Sequence, residues 1–154
     1  MTKIIDAISA TKINLDTWHA EQRTWWEFEF STDDDLIYNC VKLAYHNYAT
    51  WHMIERYQTN DAKEVKFIYE GGLEHNKYRN LCIQNIDEYF FKFQTNTEVF
   101  NSEGVGTIVD RYINDYLKYI HLLENDDERA SQLEFQINFS KSICNVICID
   151  TPFY

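Results

Sequence analysis

Apolar positions along the 154-residue chain recur at helical rather than strand spacing almost throughout. Ile4, Ile5, Ile8, Leu15, Trp18, Trp25 and Trp26 predict a first helix of about seven turns, with Asn14 and Asp16 as interruptions. Ser31 to Asp35 supplies N-cap oxygens and places negative charge at the positive end of a helix dipole. A second helix then follows Leu36, Ile37, Cys40, Val41, Leu43, Ala44, Tyr48, Trp51 and Ile54, and Thr59-Asn60-Asp61 caps the next. The third runs from Ala62 to about Phe93, with Gly71-Gly72 inside it as a kink or a close helix crossing. Gln94 to Gly106 is a polar connection, and a fourth helix covers about Thr107 to Leu123. Asn125 to Glu128 caps a fifth, from about Arg129 to Cys148, whose β-branched end is also compatible with extended chain. The predicted fold is an all-α, antiparallel bundle of four to five helices with short connections, in one domain spanning residues 1–154.

Composition sharpens this picture. Aromatic residues make up 16% of the chain, so rings must fill much of the core, and their polar tips need partners there. One Pro and four Gly leave little turn chemistry for a sandwich or barrel of short strands. Fourteen basic against 25 acidic residues give a net charge of −11, which argues against binding to nucleic-acid backbone. No apolar run has a membrane-spanning length of about 18 to 20 residues, and the N-terminus lacks a signal-peptide pattern. Cys40, Cys82, Cys144 and Cys148 form no Cys-x-x-Cys pair and read as buried reduced thiols in a cytoplasmic protein.

Candidate chemistry concentrates on two helices. On the fourth, Asp110, Asn114, Leu117 and His121 share one face, and an aspartate on a core-facing stripe needs supplied partners. Arg111, Asp115 and Lys118 lie on another face and read as solvated. On the third, Asn76, Asn80, Ile83 and Asp87 share a face, and Arg79 can meet Glu103 or Asp110 as an inter-helix ion pair or serve a polar ligand as an anion contact. Three histidines have an acid three residues away: His19 with Asp16, His52 with Glu55, and His121 with Glu124. Such i, i+3 pairs hold metals in carboxylate-bridged bundles, which makes His19, His52 and His121 candidate ligands for a divalent transition metal. Glu103-Gly104-Val105-Gly106 reads as a cap and turn, although amides at a helix start also attract anions. Neither a nucleophile elbow nor a Gly-rich phosphate loop is present.

Three blocks of residues resemble a bacterial family known as domain of unknown function 4254. The first is Trp51, His52, Glu55 and Arg56, with Ile54 where members usually carry an acid. The second is Asn76, Arg79, Ile86 and Asp87, with Asn80 and Gln84 where members often carry Asp and Glu. The third is Asn101, Ser102, Glu103, Asp110, Arg111, Lys118 and His121, with Ser102 in place of the usual Thr. The resemblance covers about Leu36 to Glu124 and brings no established activity with it. It implies that His52, Glu55, Asn76, Arg79, Asp87, Asn101, Glu103, Asp110, Arg111 and His121 belong to one polar cluster.

Two functional readings result. The first is an internal small-molecule or metal site with groups for acid–base catalysis. It takes His52 and His121 as the titrating pair, Glu55 and Asp110 as their orienting acids, and Arg79 as the anion contact, with Asn76, Asp87, Asn101, Glu103 and Arg111 as further ligand contacts. The second is an acidic interaction module without chemistry, steered to a basic protein partner by the clusters at Asp33–Asp35 and Asn125–Glu128. An exposed aromatic stripe would also suit a dimer.

Overall fold

A computed structural model describes residues 4–23, 27–55, 61–93, 104–124, 128–131, 133–134 and 136–138. Four long helices form: α1 (Ile4–Ala20), α2 (Asp35–Glu55), α3 (Ala62–Phe93) and α4 (Val105–Glu124). The described residues between 130 and 138 are also helical, and no strand occurs among the described residues. The all-α bundle expected from the apolar spacing is the fold that forms. Cys144, Cys148 and the rest of the expected fifth helix lie outside the described residues.

Local chemistry sets the helix ends. Asp34 caps α2, its Oδ1 accepting the Ile37 N–H at 2.9 Å, while Thr32 Oγ1 accepts the Asp34 N–H at 3.2 Å. Asp61 caps α3 by accepting the Lys63 N–H at 2.9 Å. Helix α1 is shorter than its apolar stripe predicts, and it ends at Ala20. Gln22 turns into the left-handed region (φ 52°), Arg23 N–H reaches Trp18 O, and Gln22 N–H reaches His19 O. Together these satisfy the last carbonyls and reverse the chain. Asn14 leaves the helix intact, because its amide donates back to Ala10 O at 2.8 Å. Trp25 and Trp26 lie outside the described residues.

Contacts step in opposite senses between α2 and α3, where Asn39 meets Asn85 and His46 meets His75. They also do so between α3 and α4, where Ile83 lies against Gly106 and Arg79 meets Asp110. Contacts between α1 and α4 advance together instead, from Asp16 with Tyr116 to His19 with Glu124. Those between α2 and α4 do the same, from Asn47 with Asp110 to Trp51 with His121. Helices α1 and α2 therefore run in the same sense, and the described residues 27–34 that lead into α2 form the return crossing. Phe28, within it, packs on Tyr38 and Tyr45 of α2 with ring centroids 5.8 and 5.1 Å apart.

The core is aromatic as well as aliphatic. Tyr48 and Tyr112 are its largest fully buried side chains, alongside Ile8, Leu15, Leu43, Ile86 and Ile113. Tyr48 satisfies its hydroxyl by donating to Trp18 O at 3.2 Å. Cys40 and Cys82 are buried and unbridged, and burial pushes the Cys82 thiol up to about 11, so it is inert at neutral pH. Among the described residues, no helix is long and apolar enough to cross a membrane.

Glycine decides one helix contact. A Cβ on Gly71 would stand 2.9 Å from Met53 Cε, the movable end of a side chain, and Gly72 faces open space, so the Gly71-Gly72 pair sits within continuous helix and not at a close backbone crossing. At Gly106 a Cβ would stand 2.3 Å from Ile83 O, which lets the start of α4 rest on the α3 backbone.

Candidate functional site

The polar stripe of α4 does assemble with α3. Arg79 grips Asp110 with two hydrogen bonds, Nε to Oδ1 at 2.8 Å and Nη2 to Oδ2 at 2.6 Å. Asn47 of α2 donates to Asp110 Oδ1 at 2.9 Å, and Arg79 Nη1 reaches Asn76 Oδ1 at 3.4 Å. Asn114 continues the chain, donating to Asp110 O at 2.9 Å and to Asn47 Oδ1 at 3.5 Å. Trp51 Nε1 donates to Asn114 Oδ1 at 3.4 Å, and the Trp51 ring stacks on His121 at 5.0 Å and 12°. His19 closes the row, with its ring 6.0 Å from that of His121 and its Nε2 2.6 Å from Glu124 Oε1. Asp110 is only 8% exposed, and its hydrogen bond raises the pKa of Arg79.

The network gathers only part of the expected cluster. Asn76, Arg79, Asp110 and His121 belong to it. Asp87 does not: it lies two turns along α3 from Arg79, and its Oδ1 accepts the Gly106 N–H at 2.7 Å. The anion at the start of α4 is thus the protein's own carboxylate, and a Cβ on Gly104 would collide with it at 2.6 Å. Arg111 is exposed on another face of α4. Asp115, expected to be solvated, is buried at 8% exposure; burial raises its pKa, while Lys118 and Arg111 lower it. On α2 it is Trp51, not His52, that stacks on His121, because successive helix positions turn by about 100°. The His52 ring lies 4.3 Å from that of Tyr48. The metal set of His19, His52 and His121 is not assembled, and among the described residues no group of three or more His, Cys, Asp or Glu is placed to hold a metal. Asn101, Glu103 and the Glu55 side chain lie outside the described residues.

A separate cavity lies elsewhere among the described residues. It measures about 670 Å³ and lies between α2, α3 and the return crossing. Phe28, Tyr38, Tyr45, Phe67 and Tyr78 wall it; Glu27, Glu70 and Glu74 also line it. Lys42 sits over the Tyr38 and Tyr78 rings at 5.6 and 5.8 Å. The polar centre is a histidine pair, His46 Nδ1 standing 2.9 Å from His75 Nδ1. His46 is 6% exposed and stacks on Tyr78 at 5.4 Å and 14°. Its Nε2 is buried, with no hydrogen-bond partner among the described residues. Burial first, then His75 and Lys42, push its pKa down to about 4; burial also lowers that of His75.

These contacts select a tautomer. One imidazole must donate and the other accept across the 2.9 Å contact. Were His75 the donor, His46 would carry its proton on the buried Nε2, and an orphaned buried N–H is rarer than an under-satisfied acceptor. With His46 Nδ1–H donating, Nε2 is a bare lone pair and His75 keeps its proton on Nε2. His75 is half-buried and its Nδ1 is occupied, so Nε2–H is the group it has left for a ligand.

Neither His46 nor His75 has an acid at the i, i+3 spacing that singled out the other three histidines. The signal was a different one. Tyr38, Lys42, Tyr45 and Met53 recur at helical spacing on α2, as do Phe67, Gly71, His75 and Tyr78 on α3. Comparison with family models, curated proteins and solved structures returns no match.

Proposed function

We propose that the protein binds a small organic molecule in the cleft between α2, α3 and the return crossing. The observation that carries this reading is a paired, uncharged histidine centre in an aromatic-walled cavity of about 670 Å³. That volume lies within the usual range for small-molecule sites, and displaced pKa values concentrate at such sites. The His75 Nε2–H asks for a hydrogen-bond acceptor on the ligand, and the aromatic walls ask for a flat apolar body. The Arg79–Asp110 network has its polar groups matched to one another, so it supports the site by fixing how α2, α3 and α4 pack. Likeness to domain of unknown function 4254 is proposed on its motifs alone.

A fragment screen followed by NMR of labelled His and Tyr side chains tests this. Binders should move the His75 and Tyr45 resonances, and His75→Ala should abolish binding. If binders leave those resonances unmoved, the reading fails.

A second reading, the interaction module, is favoured by one feature outside the cleft. Tyr69 and Leu73 are each more than half exposed on α3. Sedimentation that shows a concentration-dependent dimer, lost in Leu73→Glu, would support it.

A further inference from the structure

A separate cavity of about 390 Å³ opens at the Trp51–His121 end of the polar network. It lies between the last turns of α4 and the helical residues after 128. Trp51, Leu122 and Leu133 contribute its apolar wall, and Lys118, His121 and Arg129 its basic groups. No acidic residue lines it among the described residues, although 25 of the 154 residues are Asp or Glu. Glu124, three residues after His121, is paired with His19 at 2.6 Å. The wall is held in place: Trp51 is stacked on His121 and hydrogen-bonded to Asn114. Arg79, the anion contact expected from the sequence, is already neutralised by Asp110. Lys118 and Arg129 stand around this cavity, as Lys42 does around the α2–α3 cleft.

We infer that this cavity binds a small organic anion, with a carboxylate-type head group between Lys118 and Arg129 and a flat apolar body against Trp51 and Leu133. Two cations set the sign of the head group. A Trp indole and two leucines set the character of the body, as in other ligand sites where a few polar groups orient a mostly apolar molecule. Paired charge-assisted hydrogen bonds to a carboxylate suit the Arg guanidinium and the Lys ammonium in different ways, so the two contributions can be separated by substitution.

The test is titration of the full chain with 2-naphthoate, followed by calorimetry and tryptophan fluorescence. Its neutral methyl ester and 2-naphthylmethylammonium serve as matched probes. Naphthoate should bind at least about tenfold more tightly than either analogue. Lys118→Gln and Arg129→Gln should each weaken it by roughly tenfold, and Arg129→Lys should recover much of the loss. Both residues are exposed, so the thermal midpoint should fall by no more than a few degrees, well short of unfolding the protein at the temperature of the titration. His75→Ala should leave naphthoate affinity unchanged, which keeps this site distinguishable from the α2–α3 cleft. Equal binding of anion and ester, affinity unmoved by both substitutions, or no saturable binding up to about 10 mM overturns the inference.

Discussion

His46 and Asp110 show two ways of keeping a titratable group inside this protein. Asp110 is held by hydrogen bonds from Arg79 and Asn47. Asp110→Asn should cost about 2–3 kcal/mol in urea denaturation, less than for a fully buried pair because a third of the Arg79 side chain is exposed. Replacing both partners together, Arg79→Met with Asp110→Leu, should recover most of that loss; additive losses would show that the pair is not coupled. His46 stays neutral instead. Its folded pKa of about 4 lies below the unfolded value of about 6.5, so between these values the unfolded chain binds a proton that the folded chain refuses. Stability from this group is complete above about pH 7 and is lost as pH falls toward 4, a loss on the order of 3 kcal/mol. His75 shifts the same way. Denaturation midpoints between about pH 7 and 5.5, above most carboxylate titration, should therefore fall on acidification. His46→Phe should flatten that slope, and an unchanged slope would place its origin elsewhere.

Among the helices, the glycines carry the sharpest contrast. Gly72 has nothing within 4 Å of where a Cβ would sit, so Gly72→Ala should stabilise by about 1 kcal/mol through helix propensity alone. Gly106→Ala should destabilise by roughly 3 kcal/mol, because the added methyl meets the Ile83 backbone rather than a side chain that can turn away. Thermal midpoints of the two variants should move in opposite directions. The α3–α4 contact also accounts for Asp87, which looks like a ligand group on a helical wheel and instead caps a neighbouring helix. The end of α1 was hidden for a related reason. The tryptophans at 25 and 26 extend its apolar period, but the reversal at Gln22 depends on a left-handed backbone at a residue that is not glycine.

Charge acts across the chain as a whole. A net charge of −11 on 154 residues opposes compaction through self-repulsion. Raising salt from about 20 mM to about 0.5 M shortens the screening length several-fold and should raise the thermal midpoint by a few degrees. A midpoint that falls with salt would mean that specific ion pairs such as Arg79–Asp110 outweigh the general repulsion. Against this background, the two cavities differ in sign. Glu27, Glu70 and Glu74 line the α2–α3 cleft, whereas Lys118 and Arg129 line the cavity beside Trp51. Their ligands should differ in charge accordingly.

Helix content, the caps at Asp34 and Asp61, and the core-facing stripe through Asp110, half-buried Asn114 and Leu117 were legible because each rests on spacing within about one or two turns of chain. The Arg79–Asp110 pair was legible as one of two options, since a core-facing aspartate demands a cation. The meeting of His46 with His75, the turning of Asp87 to α4, and the placing of Trp51 rather than His52 against His121 were not legible. Each depends on the register between helices, and that register is set by side-chain volumes, glycine contacts and the course of the return crossing, which join residues far apart in the chain. Periodicity names the face a residue occupies; packing chooses what that face meets.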